Sequence, residues 1–121
     1  MTEDFTVLVV EDDASTRNVI AAVLREDGIA SDLADGYESG LAAFASQAYP
    51  VVIIDNQLGD GLGTDLCRRL KELVPSVTLF LFAGASEVAR QEALSSGVSE
   101  VLQKPYDLSK LAYLIKREAQ R

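Results

Sequence analysis

Histidine and tryptophan are absent from this chain of 121 residues, and cysteine occurs once, as Cys67. The absence of histidine excludes every catalytic or metal-binding scheme that needs an imidazole. A single cysteine can form neither an internal disulfide nor a cysteine-rich metal site, and it suits a reducing compartment. We therefore expect Cys67 to be a packed side chain rather than a reactive one.

Long hydrophobic runs and a basic surface are also missing. The longest apolar runs, such as residues 7–10 and 51–54, are far too short to span a bilayer. Two of the first four residues are acidic, where a signal peptide would be basic. Nineteen acidic residues against eleven basic ones give a net charge of −8, which argues against contact with nucleic acid or an anionic membrane. We expect a soluble protein of the cytoplasm.

The length and the pattern of the chain predict one α/β domain over residues 1–121. Strand-like stretches at 5–10, 51–54, 77–82 and 99–103, with a weak one at 30–34, indicate five strands, and a helical pattern follows each of them. Five such units predict a parallel sheet with helices on both faces, in the doubly wound, flavodoxin-like strand order 2-1-3-4-5.

Finer expectations follow from the spacing of apolar residues and glycines. The first helix, over residues 15–27, should bury Val19 and Ile20 along with Val23 and Leu24, and the third helix should bury its leucines up to Leu73. Residues 57–63 are rich in glycine and predict a loop.

Acidic residues follow the two strands that flank the predicted switch point of the sheet, where doubly wound folds bind ligands. Glu11, Asp12 and Asp13 come after the first strand, and Asp55 ends the third. Taken singly, such acids could merely cap a helix or a loop. Together, each close pair of carboxylates repels by roughly 4 kcal/mol at an effective dielectric constant near 20, so the group calls for a counterion.

Oxygen ligands without histidine or thiolate favour a hard cation, and a sparse protein shell suits Mg²⁺, which keeps its waters and accepts a phosphate oxygen. A carboxylate beside Mg²⁺ can attack phosphorus and form an aspartyl phosphate. Lys104, at the end of the fifth strand, could be a solvated lysine at a turn. It could also reach the same edge and offer a positive charge to phosphoryl oxygens.

Three blocks of sequence resemble those of response-regulator receiver domains from two-component signalling, the family that includes chemotaxis regulators. The blocks are Val-Val-Glu-Asp-Asp at 9–13, Val-Ile-Ile-Asp at 52–55 with Leu-Gly-Asp-Gly-Leu-Gly at 58–63, and Lys-Pro at 104–105. The resemblance covers essentially the whole chain. It implies a phosphoacceptor, not a turnover enzyme, that takes its phosphoryl group from a histidine kinase or a histidine phosphotransfer domain. It also implies a downstream protein partner or a fused output domain.

The resemblance assigns a role to each matching position. Asp55 matches the phosphoacceptor, and Lys104 matches the lysine that contacts the phosphoryl group. The Lys104–Pro105 peptide bond is expected to be cis. The implied Mg²⁺ ligands are Glu11, Asp12, Asp55 and the backbone carbonyl of Gln57.

Two positions depart from the family pattern. The hydroxyl residue at the end of the fourth strand is replaced by Ala83, or by Phe82 if residues are counted back from Lys104 without a gap. The aromatic residue three positions before the lysine is replaced by Val101. We expect the phosphorylation chemistry to be retained and the usual coupling of hydroxyl and aromatic ring to be lost.

Two other functions compete with the phosphoacceptor. One is a pseudo-receiver that binds protein partners without phosphorylation, which the two departures favour. The other is a phosphatase of the haloacid-dehalogenase type, which also uses an aspartate nucleophile. That family needs a second acid two residues after the nucleophile, where this chain has Gln57.

Overall fold

A five-stranded parallel sheet forms the centre of the protein in a computed structural model, which describes residues 6–84, 90–104 and 108–119. The strands along the chain are β1 (Thr6–Val10), β2 (Ala30–Ala34), β3 (Val51–Asp55), β4 (Gln57–Leu58), β5 (Gly61–Leu62), β6 (Thr78–Ala83) and β7 (Glu100–Gln103). The order in the sheet is β2-β1-β3-β6-β7, and all four pairings are parallel. Strands β4 and β5 form a separate antiparallel pair. The predicted order 2-1-3-4-5 is therefore confirmed for the five strands of the main sheet.

Helices cover both faces of this sheet, as predicted. They are α1 (Ala14–Glu26), α2 (Tyr37–Ser46), α3 (Gly63–Leu73), α4 (Arg90–Ser95) and α5 (Leu108–Ala119). One core cluster joins the sheet to α1 and α5, and the other joins it to α2, α3 and α4. Alternate residues of β3 enter the two clusters, which is why its sequence is an unbroken apolar run. Within the described ranges, no helix combines the length and hydropathy needed to cross a membrane.

Three local expectations were wrong. Val19 and Leu73, predicted to face the core, are 51% and 49% exposed, because the apolar stripe of each helix is narrower than its run of hydrophobic residues suggests. Residues 57–63, predicted to be a loop, form the β4–β5 hairpin, and Gly63 already begins α3. Residue 5 of the first predicted strand lies outside the described residues, as do residues 86–89 of the fourth helix, which the sequence predicts over residues 86–96.

Cys67 lies on α3 and is fully buried in the cluster shared with α2 and α4. This burial raises the pKa of its thiol to about 12, because a thiolate loses its hydration there. The nucleophilic form is therefore scarce at neutral pH, and the thiol is also shielded from reagents.

We predict that Cys67 reacts with an aromatic disulfide reagent at pH 8 at least about a hundred times more slowly in the folded protein than in denaturant, because both the thiolate fraction and access fall on burial. Absorbance of the released thiolate measures both rates. Equal rates in buffer and in denaturant would contradict the buried position.

Candidate functional site

Three carboxylates converge beyond the carboxyl ends of β1 and β3, as the strand order predicted. Glu11 and Asp12 follow β1 directly, and Asp55 is the last residue of β3. One oxygen from each residue lies within 4.8 Å of an oxygen from each of the other two. Glu11 and Asp55 are 2% and 5% exposed, whereas Asp12 is exposed. Two of the three charges are thus largely withdrawn from water.

Asp13 does not join this cluster but caps helix α1. Its Oδ2 accepts hydrogen bonds from the Thr16 hydroxyl at 2.7 Å and from the Thr16 N–H at 2.8 Å. These bonds hold the pKa of the Asp13 carboxyl below its usual value. The helix-capping interpretation, which the sequence left open for each of these acids, therefore applies to Asp13.

The turn between β1 and α1 is closed by contacts that fix the direction of Glu11. Its Oε2 accepts the Asp13 N–H at 3.1 Å, and its backbone carbonyl accepts a hydrogen bond from Arg17 Nη1 at 2.8 Å. Sequence reasoning missed Arg17, because nothing in a helical pattern indicates that a side chain folds back onto the preceding strand end.

Lys104 reaches the cluster from the end of β7. Its Nζ lies 2.7 Å from Asp55 Oδ1, and its backbone N–H donates to the Ala83 carbonyl at 3.0 Å. The Lys104 side chain is 25% exposed, so this ion pair is only partly screened by water. Pro105, and with it the predicted cis peptide bond, lies outside the described residues.

The carboxylate oxygens of this cluster are the kind of ligand that a hard cation prefers. Glu11, Asp12 and Asp55 offer oxygen atoms, without imidazole or thiolate, which is the ligand chemistry of Mg²⁺. The Gln57 N–H approaches Asp55 Oδ1 at 3.5 Å, so Gln57 lies beside the acids. The role of its carbonyl as a metal ligand stays a prediction.

Comparison with known proteins decides the family. A family model described as the response regulator receiver domain matches residues 7–116, which is most of the chain. The chain belongs to this receiver family. The fold is the one that the resemblance implied, and the acidic cluster and Lys104 lie together at one edge of its sheet. Their roles stay predictions.

Individual relatives extend beyond this receiver domain. CutR of Streptomyces coelicolor, a transcriptional regulatory protein, is 34% identical over 106 residues, which cover 87% of this chain and 49% of CutR. The chain spans about half the length of the curated relatives it matches.

Solved structures match over nearly the whole chain. A response regulator receiver domain protein from Clostridium thermocellum has a TM-score of 0.89 at 25% identity, covering 97% of this chain and 95% of that one. The receiver domain of Saccharomyces cerevisiae Ssk1, solved with the histidine phosphotransfer protein Ypd1, has a TM-score of 0.89 at 20% identity, covering 99% and 92%.

The two departures from the family pattern occupy the far side of the receiver site. Phe82 pairs in register with Asp55, and its side chain is buried in the cluster shared with α1 and α5. Ala83 is the last residue of β6 and is also buried. Val101 is half-buried and packs against the cluster on the opposite face. These positions therefore present hydrocarbon where the family pattern has a hydroxyl and an aromatic ring.

The β4–β5 hairpin forms the near side of the receiver site. Its tip residue Gly59 donates its N–H to Asp12 Oδ2 at 3.1 Å. The next residue, Asp60, accepts the N–H groups of Tyr37 and Glu38 at 2.7 and 3.1 Å. Sequence reasoning missed these contacts. The available signal was Gly36 at the start of α2, a position that offers no side chain to cap the helix.

Asn56 and Gly63 hold the base of the hairpin beside Asp55. Asn56 is buried, its N–H donates to the Phe82 carbonyl at 2.9 Å, and its own carbonyl accepts the Gly63 N–H at 2.7 Å. A Cβ at Gly63 would lie 2.6 Å from the Asp55 carbonyl oxygen and 2.7 Å from Asn56 Cα. Because both atoms are backbone, only glycine fits without moving the strand that ends in Asp55.

We predict that Gly63→Ala lowers the free energy of unfolding by at least about 2 kcal/mol, since the new methyl group must displace backbone. Gly59→Ala is the matched control. Its Cβ would make an ordinary contact 3.6 Å from Asp12 Oδ2, so we expect a change within about 0.5 kcal/mol. Urea denaturation followed by circular dichroism measures both, and equal stabilities of the two variants would contradict the tight contact at Gly63.

Proposed function

We propose that this receiver domain accepts a phosphoryl group on Asp55, with Mg²⁺ held by Glu11, Asp12, Asp55 and the Gln57 carbonyl. The observation that carries the proposal is the ion pair of Asp55 with Lys104 at 2.7 Å, beside two further carboxylates. A structural ion pair alone would need no such crowding. A site that receives a dianionic phosphoryl group needs both a cation and a fixed ammonium group.

The geometry favours one oxygen of Asp55 as the nucleophile. Lys104 Nζ and the Gln57 N–H both approach Oδ1. Among the described residues, Oδ2 has no neighbouring donor, so we assign the attack on phosphorus to Oδ2. The bond between phosphorus and the imidazole nitrogen of the donor then breaks, and that nitrogen keeps the electron pair. When bound, Mg²⁺ would offset charge on the transferring group.

The proposed donor is a phosphohistidine protein, because the chain belongs to the response regulator receiver family. A histidine kinase or a histidine phosphotransfer domain fits, and the solved complex of the Ssk1 receiver domain with Ypd1 supports the second source. The readout is a protein partner or a fused output domain, as the greater length of CutR suggests. Because the chain has a net charge of −8, we propose that this domain itself contacts neither nucleic acid nor membrane. We also propose that it acts in the cytoplasm.

A pseudo-receiver remains the second candidate, because Ala83 and Val101 remove both members of the usual hydroxyl–aromatic pair. Such a domain would bind partners without being phosphorylated. The two candidates differ in one measurable property, the Mg²⁺-dependent modification of Asp55.

We predict that acetyl phosphate with Mg²⁺ labels the wild-type protein and leaves Asp55→Asn unlabelled, because the amide is a poor nucleophile. Lys104→Met should stay folded and label at least about tenfold more slowly, since it loses one charge that faces the phosphoryl group. Intact-protein mass spectrometry measures the labelling. Failure of the wild type to label, with or without Mg²⁺, would favour the pseudo-receiver.

We also predict that a beryllofluoride mimic shifts the amide resonances of residues 55–62 strongly and those of α4 and β7 weakly. A hydrogen bond to a charged group contributes roughly 1.5–3 kcal/mol, and the hydroxyl that would form it at the end of β6 is missing. Two-dimensional nuclear magnetic resonance spectra measure the shifts. Large changes across residues 90–95 and 101–103 would show a coupling route that does not need the hydroxyl or the ring.

A further inference from the structure

The tip of the β4–β5 hairpin links the metal ligand Asp12 to the start of α2. We propose that Asp60 is a positioning residue for the metal site. By fastening the hairpin onto α2, it holds Gly59 against Asp12 and Gln57 beside Asp55. The inference rests on the proposed function, because it concerns the same site.

The fastening uses both oxygens of one carboxylate. The first N–H groups of a helix have no partner within the helix. Gly36, which precedes α2, has no side chain to supply one. Asp60 supplies these acceptors, although it lies at least 22 residues further along the chain. Its Oδ1 accepts the Tyr37 N–H at 2.7 Å, and its Oδ2 accepts the Glu38 N–H at 3.1 Å. Its negative charge also suits the positive end of the helix dipole.

Two glycines allow this approach. A Cβ at Gly36 would lie 2.8 Å from Asp60 Oδ1, and a Cβ at Gly61 would lie 2.9 Å from Cδ2 of the Tyr37 ring. Gly36 belongs to the helix side of this contact and Gly61 to the hairpin side. Because neither has a side chain, the hairpin packs directly against the start of α2. An alanine at position 36 would push the flexible Asp60 carboxylate away, because that is the group it meets first.

The same hairpin reaches the acids through its other contacts. Gly59 donates to Asp12 Oδ2 at 3.1 Å, and the Gln57 N–H approaches Asp55 Oδ1 at 3.5 Å. A hairpin released from α2 would let both groups move relative to the carboxylates. By linkage, if the fastened hairpin favours Mg²⁺ binding, bound Mg²⁺ must favour the fastened hairpin by the same factor. The start of α2 then reports whether the site is filled.

The test compares Mg²⁺ dissociation constants of the wild type, Asp60→Ala, Gly36→Ala and the double variant by isothermal titration. We expect Asp60→Ala and Gly36→Ala each to bind Mg²⁺ roughly tenfold more weakly, the usual scale for loss of a group that orients metal ligands. The double variant should be no weaker than either single one, because both lesions open the same contact. In the wild type, Mg²⁺ should shift the amide resonances of Tyr37 and Glu38, and Asp60→Ala should abolish those shifts.

Two further variants separate positioning from charge. Asp65→Ala removes an exposed carboxylate at the start of α3, where Asp65 contacts Arg68, and should change Mg²⁺ affinity less than about twofold in 0.15 M salt. Asp60→Asn loses the charge but keeps one acceptor oxygen, so its affinity should lie between those of the wild type and Asp60→Ala. Circular dichroism and thermal melts establish that each variant is folded at the titration temperature. If Gly36→Ala does not fold, the Asp60 and Asp65 variants decide.

The outcomes distinguish this inference from the proposed function. If the wild type binds Mg²⁺ and is labelled on Asp55 while the Asp60 and Gly36 variants bind equally well, the positioning role is wrong and the phosphoacceptor stands. The inference would be overturned if Asp60→Ala and Asp65→Ala weakened Mg²⁺ binding equally and Gly36→Ala left it unchanged. Long-range charge would then explain the effect. A wild type that neither binds Mg²⁺ nor is labelled would overturn both.

Discussion

Repulsion among the carboxylates at the ends of β1 and β3 is the constraint around which the rest of the site is arranged. At separations of no more than 4.8 Å, each pair of charged oxygens costs at least roughly 3 kcal/mol at an effective dielectric constant near 20. The fold tolerates the crowding because it supplies donors to each acid separately. Lys104 forms an ion pair with Asp55. The Asp13 N–H donates a hydrogen bond to Glu11, and the Gly59 N–H donates one to Asp12. The acids stay crowded enough to attract a cation, yet each is oriented by its own contact.

The hydrogen-bond donors to these acids come from segments far apart in the sequence. Their separation limited how much of the site could be predicted. The strands β1, β3 and β6 could be predicted from their apolar runs, because strands buried on both faces leave that mark. The strand order followed from the alternation of strands and helices, which is typical of a doubly wound sheet. Placement of the acids then followed from topology alone, since residues after parallel strands meet at one edge. Asp60 could not be found this way. Its partners are the backbone N–H groups of Tyr37 and Glu38. Gly36 indicates only that the helix start needs a partner from elsewhere, and not which residue supplies it.

The errors in the expected fold have a similar cause. Val19 and Leu73 satisfy the helical repeat, but the repeat gives only the direction of a face, whereas the width of the buried stripe depends on the neighbouring elements. Residues 57–62 contain two glycines, which indicate a turn and say little about pairing. Their two-residue strands exist because Asp60 and Gly59 fasten the tip to α2 and Asp12. The hairpin is thus defined by tertiary contacts more than by local propensity.

The site is asymmetric, and the asymmetry bears on how a receiver with this sequence can signal. On the side of β6 and β7, Ala83 and Val101 offer only hydrocarbon side chains. A phosphoryl group on Asp55 would contact the Lys104 ammonium group there, but no hydroxyl. On the side of the hairpin, polar contacts run without a break from Asp12 through Gly59 and Asp60 to the start of α2. A conformational response needs an element whose equilibrium differs with occupancy of the site. Hydrogen bonds from exposed backbone groups to two carboxylates can break and reform at low cost, whereas the buried methyl group of Ala83 can form none. The hairpin is therefore the element of this receiver domain best suited to respond to a change of charge at Asp55.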